Sequence, residues 1–406
     1  MRIKSDSKPL WLKPWGFSEG FIATAGLLVV SVFLERIIPF SLLPKPKFPI
    51  NLLIFTALIF ALILLWYKGR KSIFFQWLAS VKVAIPAISF FTLIVLLMGI
   101  IPQKTHSYGI PFGLFNILST WMFFFSIMFI LITLGASTVN RIYPVNLRNI
   151  TFFLNHFGLW ICLAAGYFGS ADKQEATLQV NRGDVVWYGE TDHNQNVELP
   201  IAIELKNFKA EFHQPRIVLV GGSVKSANSE NELSQLPLIS IDNLNIKIEQ
   251  YLPKAFPADT SFIDARGVPF TGSAVRVLVT DCYGGYIAKG WLAYPTRVAS
   301  ERNLSLPDGR FLRLLSPEPA YFGSEIKLYA KKSESLKEGI VEVNSPMRID
   351  GWWVYQYSYD NFAGADSRYS VFRAVFDPWM PVIYAGFILM LIGVALMVFI
   401  YPLKFK

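Results

Sequence analysis

The feature that most constrains this chain is a series of six long apolar runs, five before and one after a polar segment. The runs cover residues 21–40, 51–67, 83–101, 118–137, 150–168 and 380–402. Most of them reach the roughly 17–25 residues that a helix needs to cross about 30 Å of hydrocarbon. The first is the weakest, because Glu35 and Arg36 interrupt it near one end. The pattern predicts an integral membrane α-helical bundle of about six spans.

The net charge of +9 resembles that of a nucleic-acid-binding protein until it is divided by position. Residues 171–377 hold 22 Lys and Arg against 26 Asp and Glu, whereas the rest of the chain holds 16 against 3. The basic residues therefore lie in short loops beside apolar runs, where they set membrane orientation. We expect no nucleic-acid partner.

The distribution of Lys and Arg predicts an orientation. Alternate short loops and both chain ends are basic, and the opposite loops contain only a few cations. Because cytoplasmic loops are enriched in Lys and Arg, both termini are expected in the cytoplasm and residues 171–377 outside the cytoplasmic membrane. The stretch 71–82 (KSIFFQWLASVK) reads as an amphipathic helix at the membrane interface. Its side chains available to that interface are Phe74, Phe75, Trp77 and Leu78.

The large polar segment, residues 171–377, reads as mainly β. Residues 200–212 alternate with period two and place Ile201, Ile203 and Leu205 on one face. Five further short β-branched or aromatic runs lie at 241–248, 274–280, 325–330, 352–359 and 370–376. Gly and Pro residues separate these runs, so the segment is expected to form a sandwich or an irregular barrel.

One histidine, His156, lies inside an apolar run. An ionisable ring in hydrocarbon normally faces a protein interior or a ligand. Imidazole binds iron while neutral, so a metal-binding role is one reading. A hydrogen bond to a neighbouring helix is the other.

Several distinctive motifs follow one another along residues 77–402. The first is WLASVKVAIPAISFFTLIVLLMGIIPQ (77–103), followed by STWMFFF (119–125) and FFLNHFGL (152–159), which contains His156. After the polar segment come NSPMRIDGWWVYQYSY (344–359), Asp377-Pro378 and Tyr384-Ala385-Gly386. This arrangement resembles the ResB family (ResB/CcsB-like proteins) of system II cytochrome c biogenesis. Residues 1–70 and the middle of the polar segment, about 190–340, carry no matching motif.

The resemblance implies four regions. Residues 1–70 would form an N-terminal two-helix membrane extension and 71–170 the ResB-like membrane helices. Residues 171–377 would form an extracytoplasmic β-rich domain, and 378–406 the C-terminal membrane helix with a short cytoplasmic tail.

The resemblance also implies a function. The chain would be one component of a system II cytochrome c synthase (haem lyase), rather than an enzyme acting alone. It would handle haem b with a CcsA-like membrane protein and position haem or apocytochrome c for thioether attachment. His156 would be an axial ligand of the haem iron, and Arg148, or less readily Arg141, would contact a propionate. A non-catalytic membrane-anchored scaffold for an envelope complex remains the alternative.

Other candidate residues favour ordinary roles. His106, His193 and His213 lie in polar surroundings and are expected at the surface. Cys162 and Cys282 belong to no C-x-x-C motif, so the chain has no dithiol or haem-attachment motif of its own. Gly158, Gly166 and Gly169 would allow either a helix or haem to approach closely. Alternate aromatic residues of 352–359 would fill a core on one face, and the other face could present an aromatic surface.

Overall fold

The computed structural model describes residues 14–103, 111–192, 194–221, 225–226 and 238–400. The chain divides into two compact units. The membrane unit comprises Met1–Gln174 and Asp377–Lys406, and the β domain comprises Glu175–Phe376. The β domain is therefore inserted before the final helix.

The membrane unit contains one short and six long helices in its described part. They are α1 (Phe17–Ile37), α2 (Ile50–Gly69), α3 (Ile73–Leu78), α4 (Val81–Ile100), α5 (Trp121–Arg141), α6 (Leu147–Gly169) and α7 (Met380–Ile400). All except α3 are long and apolar enough to cross a membrane. Large apolar side chains such as Val29, Phe60 and Leu391 are exposed on these helices. The prediction of a membrane protein with six apolar helices is confirmed.

Local chemistry explains where two of these helices begin or end. The Asn146 side chain accepts a hydrogen bond from the Asn149 N–H at 2.9 Å, so α6 begins at Leu147 rather than at 150. α1 ends at Ile37, because Ile38 precedes Pro39 and is extended. Glu35 thus lies within α1.

Helix α5 contacts α1, α2, α4 and α6. Its buried Ser126, Thr133 and Thr138 hydroxyls donate to carbonyls of the preceding turn, so these polar groups are satisfied within the helix. The Trp160 indole N–H of α6 donates to the Leu131 carbonyl of α5 at 2.8 Å. α5 is therefore in contact with every other helix from α1 to α6, whereas α7 packs against α6.

The stretch that includes α3 differs from the sequence prediction. Phe75, Trp77 and Leu78 are buried among helices, and only Phe74 of its aromatic residues is exposed. The Trp77 indole N–H donates to the Gly16 carbonyl at 3.1 Å. The aromatic residues that were expected at the membrane interface mostly pack against the rest of the membrane unit, because their apolar contacts and the Trp77 hydrogen bond are made within that unit.

The β domain contains seventeen strands in its described part. They are β1 (Gln174–Asn181, whose first residue belongs to the membrane unit), β2 (Val185–Glu190), β3 (Asn196–Phe212), β4 (Ile217–Val220), β5 (Lys225–Ser226), β6 (Leu238–Ile241), β7 (Leu244–Ala258), β8 (Ser261–Asp264), β9 (Gly272–Asp281), β10 (Tyr286–Ala293), β11 (Leu304–Ser305), β12 (Phe311–Leu314), β13 (Pro319–Ala330), β14 (Ser335–Glu342), β15 (Met347–Ile349), β16 (Trp352–Tyr359) and β17 (Tyr369–Phe376).

These strands form three antiparallel sheets. The largest has eight strands in the order β14-β13-β3-β2-β1-β17-β16-β15. Its two ends meet, because β14 leads directly into β15 and Glu342 bridges Ser345, so this sheet nearly closes into a barrel. A five-stranded sheet (β10-β9-β7-β6, with β8 on β7) and a four-stranded sheet (β11-β12-β4-β5) complete the domain. The predicted mainly-β fold is confirmed.

The cores of the β domain follow the period-two pattern. Ile201, Ile203 and Leu205 are buried on one face of β3, as predicted. They belong to the core of the eight-stranded sheet, and a second core lies under Val275, Val277 and the other inward residues of the smaller sheets. Burial of such side chains stabilises each sheet by roughly 1.5–3 kcal/mol per large apolar residue.

Candidate functional site

His156 lies on α6, nine positions after Leu147, which is roughly 14 Å along the axis at 1.5 Å per residue. His156 is only six positions, or about 9 Å, from the start of the apolar run at residue 150, and the longer distance arises because α6 begins three residues earlier. Its side chain is half-buried, so it is neither fully exposed nor sealed within the bundle.

A backbone contact orients the imidazole of His156. Its Nδ1 lies 3.0 Å from the carbonyl oxygen of Phe152, one turn earlier in α6. A carbonyl oxygen can only accept, so the hydrogen of the neutral ring is assigned to Nδ1. The remaining nitrogen, Nε2, then carries an unshared electron pair. Metal-binding histidines commonly have this arrangement, in which one nitrogen bonds the backbone and the other is left for the metal.

An arginine and an aromatic ring extend this arrangement. The rings of Phe152 and His156 are stacked, with centroids 3.7 Å apart and planes 21° apart. The guanidinium carbon of Arg141, at the end of α5, lies 4.3 Å from the Phe152 ring centroid. Arg141, Phe152 and His156 therefore form a cluster between the end of α5 and the first half of α6, which we call the His156 cluster. Such a cation–ring contact restricts the position of the guanidinium.

Arg148, the first-named candidate for a propionate contact, lies elsewhere on α6. It is exposed in the first turn, and its carbonyl accepts a hydrogen bond from the Thr151 hydroxyl. Eight residues separate it from His156, or about 12 Å along the axis. Arg141 is the arginine that the structure brings to the His156 cluster.

The three glycines of α6 have different surroundings. A Cβ on Gly158 would lie 2.5 Å from the Gly386 carbonyl oxygen of α7, and one on Gly169 would lie 2.3 Å from Trp379. A Cβ on Gly166 would meet nothing within 4 Å. Gly158 and Gly169 therefore allow close packing of the protein itself.

The remaining predicted candidates lie apart from the His156 cluster. His213 is exposed in the β domain, as expected, whereas His106 and His193 lie outside the described residues. Cys162 is half-buried in α6 and Cys282 is exposed in the β domain, and both are free thiols. In the part of the chain that the structure describes, no three His, Cys, Asp or Glu side chains form a metal-binding group.

Strand β16 has the two faces that its alternation predicts. Trp352 is buried in the core of the large sheet, whereas Trp353, Tyr355 and Tyr357 are exposed on the other face. A register shift between Gln356 and Ser358 returns Tyr359 to the buried side.

A carboxylate that sequence reasoning missed connects three helix ends. Asp172, just beyond α6, accepts hydrogen bonds from the Phe48 N–H at 2.8 Å, the Asn51 side-chain amide at 2.7 Å and the Trp379 indole N–H at 2.7 Å. Desolvation raises the pKa of Asp172, but these three donors outweigh it and hold that pKa below its usual value. An acidic residue directly after an apolar run was the only signal in the sequence.

Glu35, near the end of α1, has a similar structural role. Its carboxylate accepts hydrogen bonds from the Trp121 N–H at 2.9 Å and the Phe40 N–H at 3.3 Å. It therefore satisfies a free N–H group in the first turn of α5. Glu35, which interrupts the first apolar run in the sequence, thus joins α1 to α5.

A comparison with models of known protein families finds no match for this chain, and a search of curated proteins finds no similar sequence.

Proposed function

We propose that this chain is a component of a system II cytochrome c synthase, similar in role to the ResB family. Within that complex it handles haem together with a CcsA-like membrane protein. The observation that carries the proposal is the His156 ring, held by the Phe152 carbonyl inside an apolar helix with Nε2 left to bind iron. The sequence motifs shared with the family, in the same order, support it.

Haem is cargo in this proposal, and the residues of the His156 cluster suit its parts. Nε2 of His156 supplies one axial ligand, and the CcsA-like partner supplies the second. Arg141 is placed to pair with a propionate, since guanidinium groups bind carboxylates through two parallel hydrogen bonds. The exposed Arg148 is a second cation at the same end of α6.

The protein contributes orientation rather than a nucleophile. The thiols of apocytochrome c attack the vinyl groups of haem, so the synthase gains rate by holding the two reactants in place. The β domain of this chain would position haem or apocytochrome c. The Lys and Arg distribution supports placing this domain outside the cytoplasmic membrane, with both termini in the cytoplasm.

The test is replacement of His156. His156→Ala should lose most of the haem that co-purifies with the chain and its CcsA-like partner, and should lower the yield of holocytochrome c. Added imidazole should restore part of both, because it can enter the space left by the ring and ligate iron. His213→Ala is the matched control, since His213 is an exposed histidine of the β domain and should leave both readouts unchanged.

Two results would count against the proposal. Normal haem content in His156→Ala would remove His156 as a ligand. A missing Soret band in wild-type preparations, with and without the partner, would favour the membrane-anchored scaffold instead.

A further inference from the structure

The β domain contains a second cluster of cations around one aromatic ring, far along the chain from His156. Phe270 lies in the loop between β8 and β9 and has a backbone φ of +64°. A bulky side chain rarely adopts this left-handed conformation, and such strain is found most often at functional sites. The Phe270 N–H donates to the Asp366 carboxylate at 3.0 Å, which holds the loop in this conformation.

Two guanidinium groups face the Phe270 ring. The guanidinium carbon of Arg297 lies 5.2 Å from the ring centroid, and that of Arg368 lies 5.6 Å from it. Asp366 brings Lys254 to the same place. The Lys254 Nζ lies 3.3 Å from the Asp366 carboxylate oxygen that accepts the hydrogen bond of the Phe270 N–H. We call Phe270, Lys254, Arg297 and Arg368 the Phe270 site.

The cations of the Phe270 site outnumber the carboxylates that neutralise them. Lys254 pairs with Asp366, and Arg297 pairs with the buried Asp360. Arg297 is half exposed and uses one of its five N–H donors in that pair, so further donors remain. Arg368 is exposed, and its guanidinium has no carboxylate partner among the residues that the structure describes.

Two other arginines that lie over aromatic rings in this domain have their donors occupied by protein oxygens. Arg302, over Phe262, donates to the carbonyls of Asp259 and Thr260, and Arg373, over Tyr357, pairs with Glu175 and Asp192. Within the described chain, Phe270 alone has two guanidinium groups over one ring.

We propose that the Phe270 site binds the carboxylates of an amphipathic ligand, and that the ligand is haem held by its propionates. Haem carries two carboxylates, which matches the two guanidinium groups. This inference rests on the proposed function, because that function brings haem to the β domain. It adds a site of carboxylate recognition that is separate from iron ligation at His156.

Metal-free protoporphyrin IX separates the Phe270 site from iron ligation, because it has the propionates of haem but no iron for His156 to bind. The full chain in detergent micelles is titrated at pH 7 with this porphyrin, and binding is measured by quenching of protein fluorescence. Arg368→Gln should weaken binding about tenfold or more, as expected for loss of a charge-assisted contact. Arg348→Gln is the matched control, since Arg348 also lies exposed over a ring, that of Trp353, and should bind as wild type does.

Two further arms complete the experiment. Protoporphyrin IX dimethyl ester, whose carboxylates are blocked, should bind wild type no more tightly than the free acid binds Arg368→Gln. His156→Ala should keep porphyrin binding even where it loses haem, so failure of the iron site and failure of the Phe270 site give different results. Equal affinity of Arg368→Gln and wild type for the free acid, or of wild type for acid and ester, would overturn the assignment.

Discussion

At the scale of single residues, two carboxylates of the membrane unit accept hydrogen bonds from donors far away in the chain. The Asp172 carboxylate collects donors from Phe48, Asn51 and Trp379, and the Glu35 carboxylate collects the Trp121 N–H. An unpaired polar group in an apolar environment is costly, so these contacts explain how charged residues are tolerated beside membrane helices. The His156 ring follows the same rule, since its Nδ1 is bonded to the Phe152 carbonyl.

Arg141 and Arg148 offer a direct comparison of two arginines. Arg141→Gln should reduce the haem retained by the purified complex more than Arg148→Gln does, because only Arg141 lies over the Phe152 ring that stacks on His156. The measurement is the ratio of haem absorbance to protein for each variant. Equal loss in both variants would show that the two arginines act only through the positive charge that they add where α5 ends and α6 begins.

Asp172 makes stability depend on pH in a defined direction. Its pKa is lowered in the folded protein, so its contribution is present above the unfolded value of about 3.9 and is lost as pH falls through the folded pKa. Asp172→Asn should lower unfolding free energy by about 1–2 kcal/mol at pH 7, a figure reduced for partial exposure. Thermal unfolding in detergent should show this difference shrinking below about pH 4. A difference independent of pH would contradict the role of its charge.

At the scale of helices, the contact between α6 and α7 depends on glycine. Gly158 faces the α7 backbone, and Gly386 faces Cys162 and the Gly158 carbonyl of α6. Small residues allow helix backbones to approach closely in membranes, where the hydrophobic effect supplies little force between helices. Among the candidate glycines of α6, Gly158 therefore allows α7 to pack closely, whereas Gly166 faces open space.

Substitution of these two glycines should have opposite outcomes. Gly158→Ala should destabilise the protein by about 1–3 kcal/mol, because the new Cβ would lie 2.5 Å from a backbone oxygen of α7. Gly166→Ala should leave stability unchanged or slightly raised, since alanine favours helix more than glycine does. Thermal unfolding of both variants in the same detergent compares them. A Gly158→Ala protein as stable as wild type would mean that α7 shifts freely away from α6.

At the scale of the whole molecule, the architecture follows from patterns that are visible in the sequence. Apolar runs long enough to cross a membrane predict the six long helices, and period-two alternation predicts strands such as β3 and β16. Local signals also explain the helix ends, such as the Asn146 cap of α6. These features depend on neighbours in the chain, which sequence reasoning can read directly.

The contacts of the candidate site were harder to predict for a physical reason. Arg141 of α5 contacts Phe152 of α6, so that part of the His156 cluster depends on how two helices pack. Phe270, Arg297 and Arg368 come together although each lies in a different loop. Spacing along one helix favoured Arg148, which lies on α6 itself. Contacts between elements depend on how the helices and sheets pack, which residue spacing does not specify.

The central claim is that Nε2 of His156 ligates haem iron, and a change of ligand tests it most directly. His156→Cys, purified with the CcsA-like partner, should retain haem with the shifted visible spectrum of a thiolate-bound iron, because the axial ligand sets the electronic properties of haem. Wild type should show the spectrum of histidine ligation under the same conditions. A His156→Cys spectrum identical to that of wild type would contradict the account.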